Sequence, residues 1–367
     1  MKFMDLHAGY LARKEKMDAR IASVISRSQF IFGPELTELE ETLAKYSGSR
    51  YAAGVSSGMD GLLIALMALG LSPENDNRTK EVIVPAFTFI ATAEAVAFLG
   101  AKPVFVDIDE KTYNIDASKI EASITKSTVG IIPVDLFGQC ADYDKISAIA
   151  KKHNLFVIED ACQAFGAARN GRKACSFGDI AVTSFFPAKP LGCFGDGGMV
   201  FTDNEKLIND MKMIRHHGEQ TKYHHTRIGM TGRLDNLQAA VLLEKFNGFD
   251  ADMSERRKRA AIYNAGLAGS LTVPVIDKGN ESVYAQYCIR SPKRAAIIEG
   301  LGRNGIPTAI YYPKALHLME CFANLGYKKG DMPVSEKVSE DIFALPIYNE
   351  MPKEDQDTVI KELKALV

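Results

Sequence analysis

The sequence predicts an α/β protein: a large domain on a mainly parallel central sheet, followed by a smaller α+β domain. Three observations carry this. Six short apolar runs, EVIVPAF (81–87), KPVFVDI (102–108), VGIIPVDL (129–136), LFVIEDA (155–161), IAVTSFF (180–186) and GMVFTD (198–203), are mostly continuous rather than alternating. Continuous runs mark strands covered on both faces. Helical segments such as ATAEAVAFLG, DASKIEASIT and YDKISAIAKKH separate several of them, and repeated strand–helix–strand units wind a parallel sheet through right-handed crossovers. Near residue 235 the pattern changes to helices and short strands.

Taken in order, residues 14–28 and 34–47 read as helices. Pro34 and the acids that follow it in PELTELEETLAKY suit the start of the second. YAAGVSSGMDGLLIALMALG reads as a short apolar strand, a Gly/Ser turn and an apolar helix over about 60–69. The six runs and their helices come next. DNLQAAVLLEKFNGFDADMSERRKRAAIYNAGLAG reads as two helices broken near Asn247-Gly248. Short strands (SVYAQYCIR) and helices (KRAAIIEGLGRNG, KEDQDTVIKELKAL) complete the chain. The expected division is a large domain over 1–247, with an N-terminal helical segment, and a small one over 248–367.

Composition removes several function classes. The chain has 367 residues, 46% hydrophobic and 25% charged, with net charge −2, which argues against disorder. Its 44 Lys+Arg against 46 Asp+Glu leave no basic excess for a nucleic-acid backbone. No stretch approaches the ~20 apolar residues of a membrane span. The start, MKFMDLHAGYLARKEK, has Asp5 and His7 where a signal peptide needs an apolar core, so a cytoplasmic location is expected. Six cysteines form no CxxC pair and the seven histidines no HExxH; reduced thiols and no metal site are expected.

Four features lie along the large domain. Ser56-Ser57-Gly58-Met59-Asp60-Gly61 joins a strand to a helix, and free N–H groups at a helix start can hold an anion. This loop is neither GxGxxG nor a Walker sequence. Pro85-Ala86-Phe87-Thr88-Phe89 sits at a strand's C-terminal end, where parallel sheets bind ligands and an aromatic can lie against a planar ring. Ile158-Glu159-Asp160-Ala161-Cys162-Gln163 brings carboxylates to the same edge. A carboxylate there needs a cation or strong donor, such as a protonated pyridine nitrogen. Thr183-Ser184-Phe185-Phe186-Pro187-Ala188-Lys189-Pro190 places a lysine in apolar surroundings, where an amine loses its proton readily and becomes a Schiff-base nucleophile. A phosphate cradle, an aromatic plate, a pyridinium partner and such a lysine together suit pyridoxal 5′-phosphate.

At these residues the sequence resembles the DegT/DnrJ/EryC1/StrS sugar aminotransferases, a branch of the aspartate-aminotransferase fold (fold type I). The resemblance runs from FGPELTELE to TAIYYP and LPIY, and the block EDACQAFGA…SFFPAKPLGCFGDGGMVFT is its most specific part. It implies that Lys189 forms the Schiff base and shuttles the proton, that Asp160 pairs with the ring nitrogen, and that Gln163 contacts the 3-hydroxyl side. Phe89 would stack on the ring. Ser184, Gly58 and Met59 would hold the phosphate. Two positions depart from the pattern: Met59 replaces the usual Thr, and Thr231 replaces an Asn that reaches the neighbouring subunit's phosphate. The resemblance therefore implies a homodimer with shared active sites.

The segment 211–233 carries Lys212, Arg215, Lys222, Arg227 and Arg233 with four histidines and one acid, Glu219, a composition that suits an anionic substrate. Arg233, Tyr311, Tyr312 and His317 are the candidate substrate contacts; the last three lie in a segment resembling the family's substrate-facing loop, where Tyr-Tyr-Pro replaces the usual His-Tyr-Pro. VDLFGQCADYD, SFFPAKPLG, RHHGEQTKYHH and SVYAQY resemble members acting on UDP-2-acetamido-2-deoxy-3-oxo-D-glucuronate. The implied activity is transfer of an amino group from L-glutamate to that sugar, for O-antigen-type surface polysaccharide. The alternatives are another nucleotide sugar, such as a 4-keto-6-deoxy hexose, and a non-catalytic regulator that binds the cofactor. Sugar dehydratases of the same family carry His at the Schiff-base position, and Lys189 argues against that chemistry.

Overall fold

A computed structural model describes residues 1–367. The chain opens with helices α1 (Leu6–Leu11), α2 (Lys14–Arg27) and α3 (Pro34–Ser47). Then come β1 (Tyr51–Val55), α4 (Gly58–Ala68), β2 (Glu81–Pro85), α5 (Ala91–Phe98), β3 (Lys102–Val106), α6 (Ala117–Ile120), β4 (Thr128–Ile131), α7 (Tyr143–His153) and β5 (Phe156–Asp160). The short strands β6 (Ala168–Arg169) and β7 (Arg172–Lys173) precede β8 (Ile180–Ser184) and β9 (Gly198–Thr202). After α8 (Glu205–Ile214), the hairpin β10 (Glu219–Thr221) and β11 (His224–His225) leads to α9 (Asn236–Phe246) and α10 (Phe249–Leu267). The last elements are β12 (Asn280–Glu281), β13 (Tyr287–Arg290), α11 (Arg294–Arg303), α12 (Pro333–Asp341), β14 (Ile342–Leu345) and α13 (Lys353–Leu366).

Seven strands form the central sheet in the order β1-β9-β8-β5-β4-β2-β3. β9 runs antiparallel to both neighbours, and the other pairings are parallel. Successive residues face opposite sides of a strand. Ile83 therefore packs into the cluster beneath α3, α7 and α9, while Val82 and Val84 pack into the one beneath α4, α5 and α8. That two-sided burial produces the continuous apolar runs. DASKIEASIT is less helical than its sequence predicts: α6 covers Ala117–Ile120 and one 3₁₀ turn follows over Glu121–Ser123.

Gly248 separates α9 from α10 with φ +98°, a conformation that glycine adopts without steric cost. Beyond it, α10, α11, α13, β13 and β14 build their own cluster around Tyr263, Tyr287 and Phe343. Residues from the other end of the chain join this region. Met4 packs against that cluster, and Phe3 against the neighbouring one around Phe137, Cys288 and Val338.

One buried pair of acids ties β5 to its surroundings. Glu159 is fully buried and accepts the N–H groups of Cys175 and Phe177, each at 2.7 Å. Asp135, also fully buried, accepts from Ala141 N–H at 2.8 Å and from the Tyr143 hydroxyl at 2.9 Å. Its second oxygen has no N–H or O–H donor from the rest of the chain. Burial pushes the Asp135 carboxyl up to about 7, against the pull of the Ala141 N–H and the Tyr143 hydroxyl. Burial raises Glu159 too, with Asp135 beside it.

An unfolded Asp releases its proton near ~3.9, whereas folded Asp135 keeps it to about 7. Between these values the folded state binds more protons, so this pair makes stability fall as pH rises. We expect Asp135→Asn to melt with a shallower pH dependence than the wild type between roughly pH 5 and 7.5. Thermal melts across that range check this; parallel curves would show that Asp135 does not carry the extra proton.

Candidate active site

The C-terminal ends of β2, β5 and β8 and the start of α4 enclose a cavity of about 740 Å³. Its floor begins at the turn after β1. Ser57 caps α4, its hydroxyl accepting from Asp60 N–H at 3.0 Å. Asp60 in turn accepts from the hydroxyls of Ser56 (2.5 Å) and Ser57 (3.0 Å). The first N–H groups of the helix, at Gly58 and Met59, have no helical acceptor. A Cβ at Gly58 would sit 2.8 Å from Cys162 Sγ and 2.9 Å from Ser184 Cβ, so only glycine lets the turn approach β8 this closely. The Ser184 oxygen accepts from Phe186 N–H at 3.3 Å, which leaves its own proton to donate.

Asp160 ends β5 and is buried. One oxygen accepts from the Thr92 hydroxyl at 2.7 Å and the other from Cys162 N–H at 3.2 Å. Gln163 accepts from Phe137 N–H at 3.0 Å and donates to the Tyr312 hydroxyl at 3.1 Å. Phe89 is 56% exposed on the cavity wall, its ring 6.2 Å from that of Tyr312. Lys189 reaches the cavity from the turn after β8, where its N–H donates to Phe186 O at 2.8 Å. Burial lowers the Lys189 amine below its ordinary range, while Cys162 and Asp160 pull the other way. A lowered amine holds less of its population as unreactive ammonium.

Gly58, Met59, Phe89, Asp160, Gln163, Ser184, Lys189, Tyr311 and Tyr312 thus line one cavity. Thr231 and Arg233 do not line it. Thr231 is exposed with its hydroxyl 2.8 Å from His217 Nε2, and Arg233 lies 2.7 Å from His216 Nδ1. His317 is a correction. Its side chain is fully buried, 3.0 Å from Glu336 and packed near the Tyr327 ring, outside the cavity. It braces the loop and cannot meet a ligand there.

The basic segment 211–233 is also less available than its composition suggests. Arg215 is buried against Glu40 (2.6 Å) and Gly54 O (2.7 Å), and Arg227 pairs with Asp210 at 3.0 Å. Thr92, Asp196 and Gln286 line the cavity without having stood out in the sequence. Thr92 carried one weak signal, its place just beyond the PAFTF strand end; Asp196 and Gln286 lie inside the quoted blocks SFFPAKPLGCFGDGGMVFT and SVYAQY, without being singled out there.

A buried inward carboxylate, an amine with depressed basicity and a glycine-tight N–H cradle suit a pyridine ring bearing a phosphate. The chain matches the DegT/DnrJ/EryC1/StrS aminotransferase family over residues 12–364. It belongs to that family. Its cofactor is pyridoxal 5′-phosphate, and its fold is that of the fold type I enzymes. This aminotransferase is 45% identical over 349 residues to the UDP-2-acetamido-2-deoxy-3-oxo-D-glucuronate aminotransferase of Pseudomonas aeruginosa, covering 95% of each chain. It is 44% identical over 364 residues to a pleiotropic regulatory protein of Geobacillus stearothermophilus, covering 98% of this chain and 96% of the relative. A solved structure of NtdA from Bacillus subtilis with bound cofactor PMP superposes with TM-score 0.90 at 33% identity, covering 97% of this chain and 82% of that one.

Gly58→Ala tests the cradle. The added methyl must displace Cys162 or Ser184, and we expect cofactor affinity to fall at least about tenfold, roughly 1.4 kcal/mol, with circular dichroism unchanged. Adding Cys162→Ala should recover part of the loss. An unchanged dissociation constant, followed by cofactor absorbance, would place the phosphate elsewhere.

Proposed function

We propose that this aminotransferase moves an amino group from L-glutamate to UDP-2-acetamido-2-deoxy-3-oxo-D-glucuronate, in the cytoplasm, for O-antigen-type surface polysaccharide. The observation that carries the substrate reading is the 45% identity, over 95% of both chains, with the relative of that name. No helix is long and apolar enough to cross a membrane, which is compatible with this placement. We also read the chain as two domains divided at Asn247-Gly248, with the pocket at the sheet edge that faces the second.

Bound pyridoxal 5′-phosphate supplies an electron-withdrawing ring and an aldehyde that carries the amino group. The residues around it divide the remaining work. Asp160, oriented by the Thr92 hydroxyl and Cys162 N–H, keeps the ring nitrogen protonated. Lys189 Nζ binds the cofactor and then accepts and returns the substrate proton. The Gly58 and Met59 N–H groups and the Ser184 hydroxyl hold the phosphate. Gln163 and Tyr312 would meet the hydroxyl side of the ring, Phe89 would cover its face, and Tyr311 would line the sugar's approach.

Charge supports a second chain in the site. The cavity wall offers one cation, Lys189, against Asp60, Asp160 and Asp196, yet its ligands carry a phosphate, a diphosphate and a carboxylate. Cations from elsewhere would balance them. Lys212, Lys222 and Arg233 have no carboxylate within 4.0 Å in their own chain. A homodimer in which Thr231 and Arg233 serve the partner's site meets this need. The second reading, a regulator without turnover, is favoured by the name of the Geobacillus stearothermophilus relative. Absorbance separates the two: turnover requires a cofactor band that glutamate shifts. A screen of donors and nucleotide keto-sugars with mass detection then names the acceptor, a 4-keto-6-deoxy sugar included.

Asp160→Asn should retain cofactor yet lose ~1.5–3 kcal/mol of charge-assisted bonding, or roughly one to two decades in rate; a fall below about threefold would free Asp160 from this role. Lys189→Ala and Thr231→Asp should each be inactive alone. After verified subunit exchange, a mixture should regain up to about a quarter of wild-type activity, because about half of the dimers are mixed and half of their sites carry neither lesion. Exchange without recovery would confine each site to one chain.

A further inference from the structure

Lys189 borders a second cavity, on the side of its loop away from the proposed cofactor. This space of about 70 Å³ is walled by Arg13, Lys245, Asp252, Arg256 and Glu350. Arg13 is paired with Asp252 at 2.5 Å. Lys245 donates to Gly192 O at 2.6 Å and has no carboxylate within reach. Arg256 is 5% exposed, and its hydrogen bonds are two long ones, to Tyr284 O at 3.3 Å and Ala285 O at 3.4 Å. Its Nε has no partner. Glu350 bonds to none of these cations, and Asp5, also on the wall, is taken by Lys2 and the N–H groups of His7 and Ala8.

Four cations, Lys189 among them, therefore border the cavity against three acids, of which Asp5 is spent on Lys2, and the buried Arg256 has an unused donor. Water could satisfy that donor, because a cavity needs only about 10–15 Å³ to hold one. Water would leave the surplus charge uncompensated, and buried charge is costly without a counter-charge. Burial lowers the Lys245 amine and brings Arg256 down to about 10, against the opposing pull of Glu350 and Asp252.

We propose that this cavity binds one small monovalent anion of halide size, held between Arg256 and Lys245. An anion there also lies against the loop that carries Lys189, so occupancy would reach the active site without entering the substrate pocket.

Bromide is the probe, used on the holoenzyme. Crystals soaked in bromide should show an anomalous peak within contact of Arg256 Nε. In solution, bromide or chloride should raise the melting temperature by roughly 2–4 °C over gluconate at equal ionic strength. Arg256→Gln should abolish both effects. Lys245→Gln, nearer the rim, should weaken both and stands in if the first variant fails to fold. Equal melts in halide and gluconate with no peak would overturn the proposal. So would a peak that persists in the variants, or a crystal in which Glu350 has closed onto Arg256.

Discussion

The alternation of β5 sets the geometry of everything around the pocket. Glu159 and Asp160 are neighbours, so their side chains leave the strand on opposite faces. Glu159 goes into the interior and is fastened to the 175–177 turn by two short hydrogen bonds. Asp160 goes into the cavity and meets Thr92. A slip of one residue would exchange them, leaving the pocket without its aligned carboxylate. β8 depends on the same registration. It pairs Val182 with Asp160, which puts Ser184 and the Lys189 turn just past the carboxylate. The anchored acid beneath the sheet thus fixes the height at which three chemically different groups meet above it.

The parts of this arrangement visible in the sequence are those encoded locally. Buried parallel strands write themselves as unbroken apolar runs, and the turn-and-motif blocks around Gly58, Asp160 and Lys189 are contiguous. What was not legible depends on partners far away in sequence. His317 reads as a polar residue in a ligand-facing loop, but Glu336 draws it inward. The basic stretch 211–233 reads as an exposed anion surface, yet Glu40 and Asp210 consume Arg215 and Arg227. β6, β7, β10, β11 and β12 have three residues or fewer, too short to show a period. Gln286 lies inside the quoted SVYAQY, yet only the fold brings it to the cavity wall.

The electrostatic character of the site follows from how few charges the chain spends there. A fold type I aminotransferase must hold an anionic cofactor and, on our reading, an anionic substrate. This chain answers with N–H groups, hydroxyls and one lysine of depressed basicity. Fixed dipoles attract phosphate without placing another titratable cation beside Lys189. Arg13, Lys245 and Arg256, the strongly basic groups nearest to Lys189, line the second cavity and not the one that would take the cofactor.

Phe3 and Met4 have a bearing on how the molecule is made. They leave the ribosome long before α10, β13 and α13, against whose clusters they finally rest. Until those elements exist, the cluster that receives Met4 is absent and the one that receives Phe3 lacks Cys288, Val338 and Ile342, although the central sheet can already close. The earliest residues of this stretch therefore dock last. They act as a late clasp, and the time during which they stay undocked is set by the rate of translation, not by the speed of any local folding event.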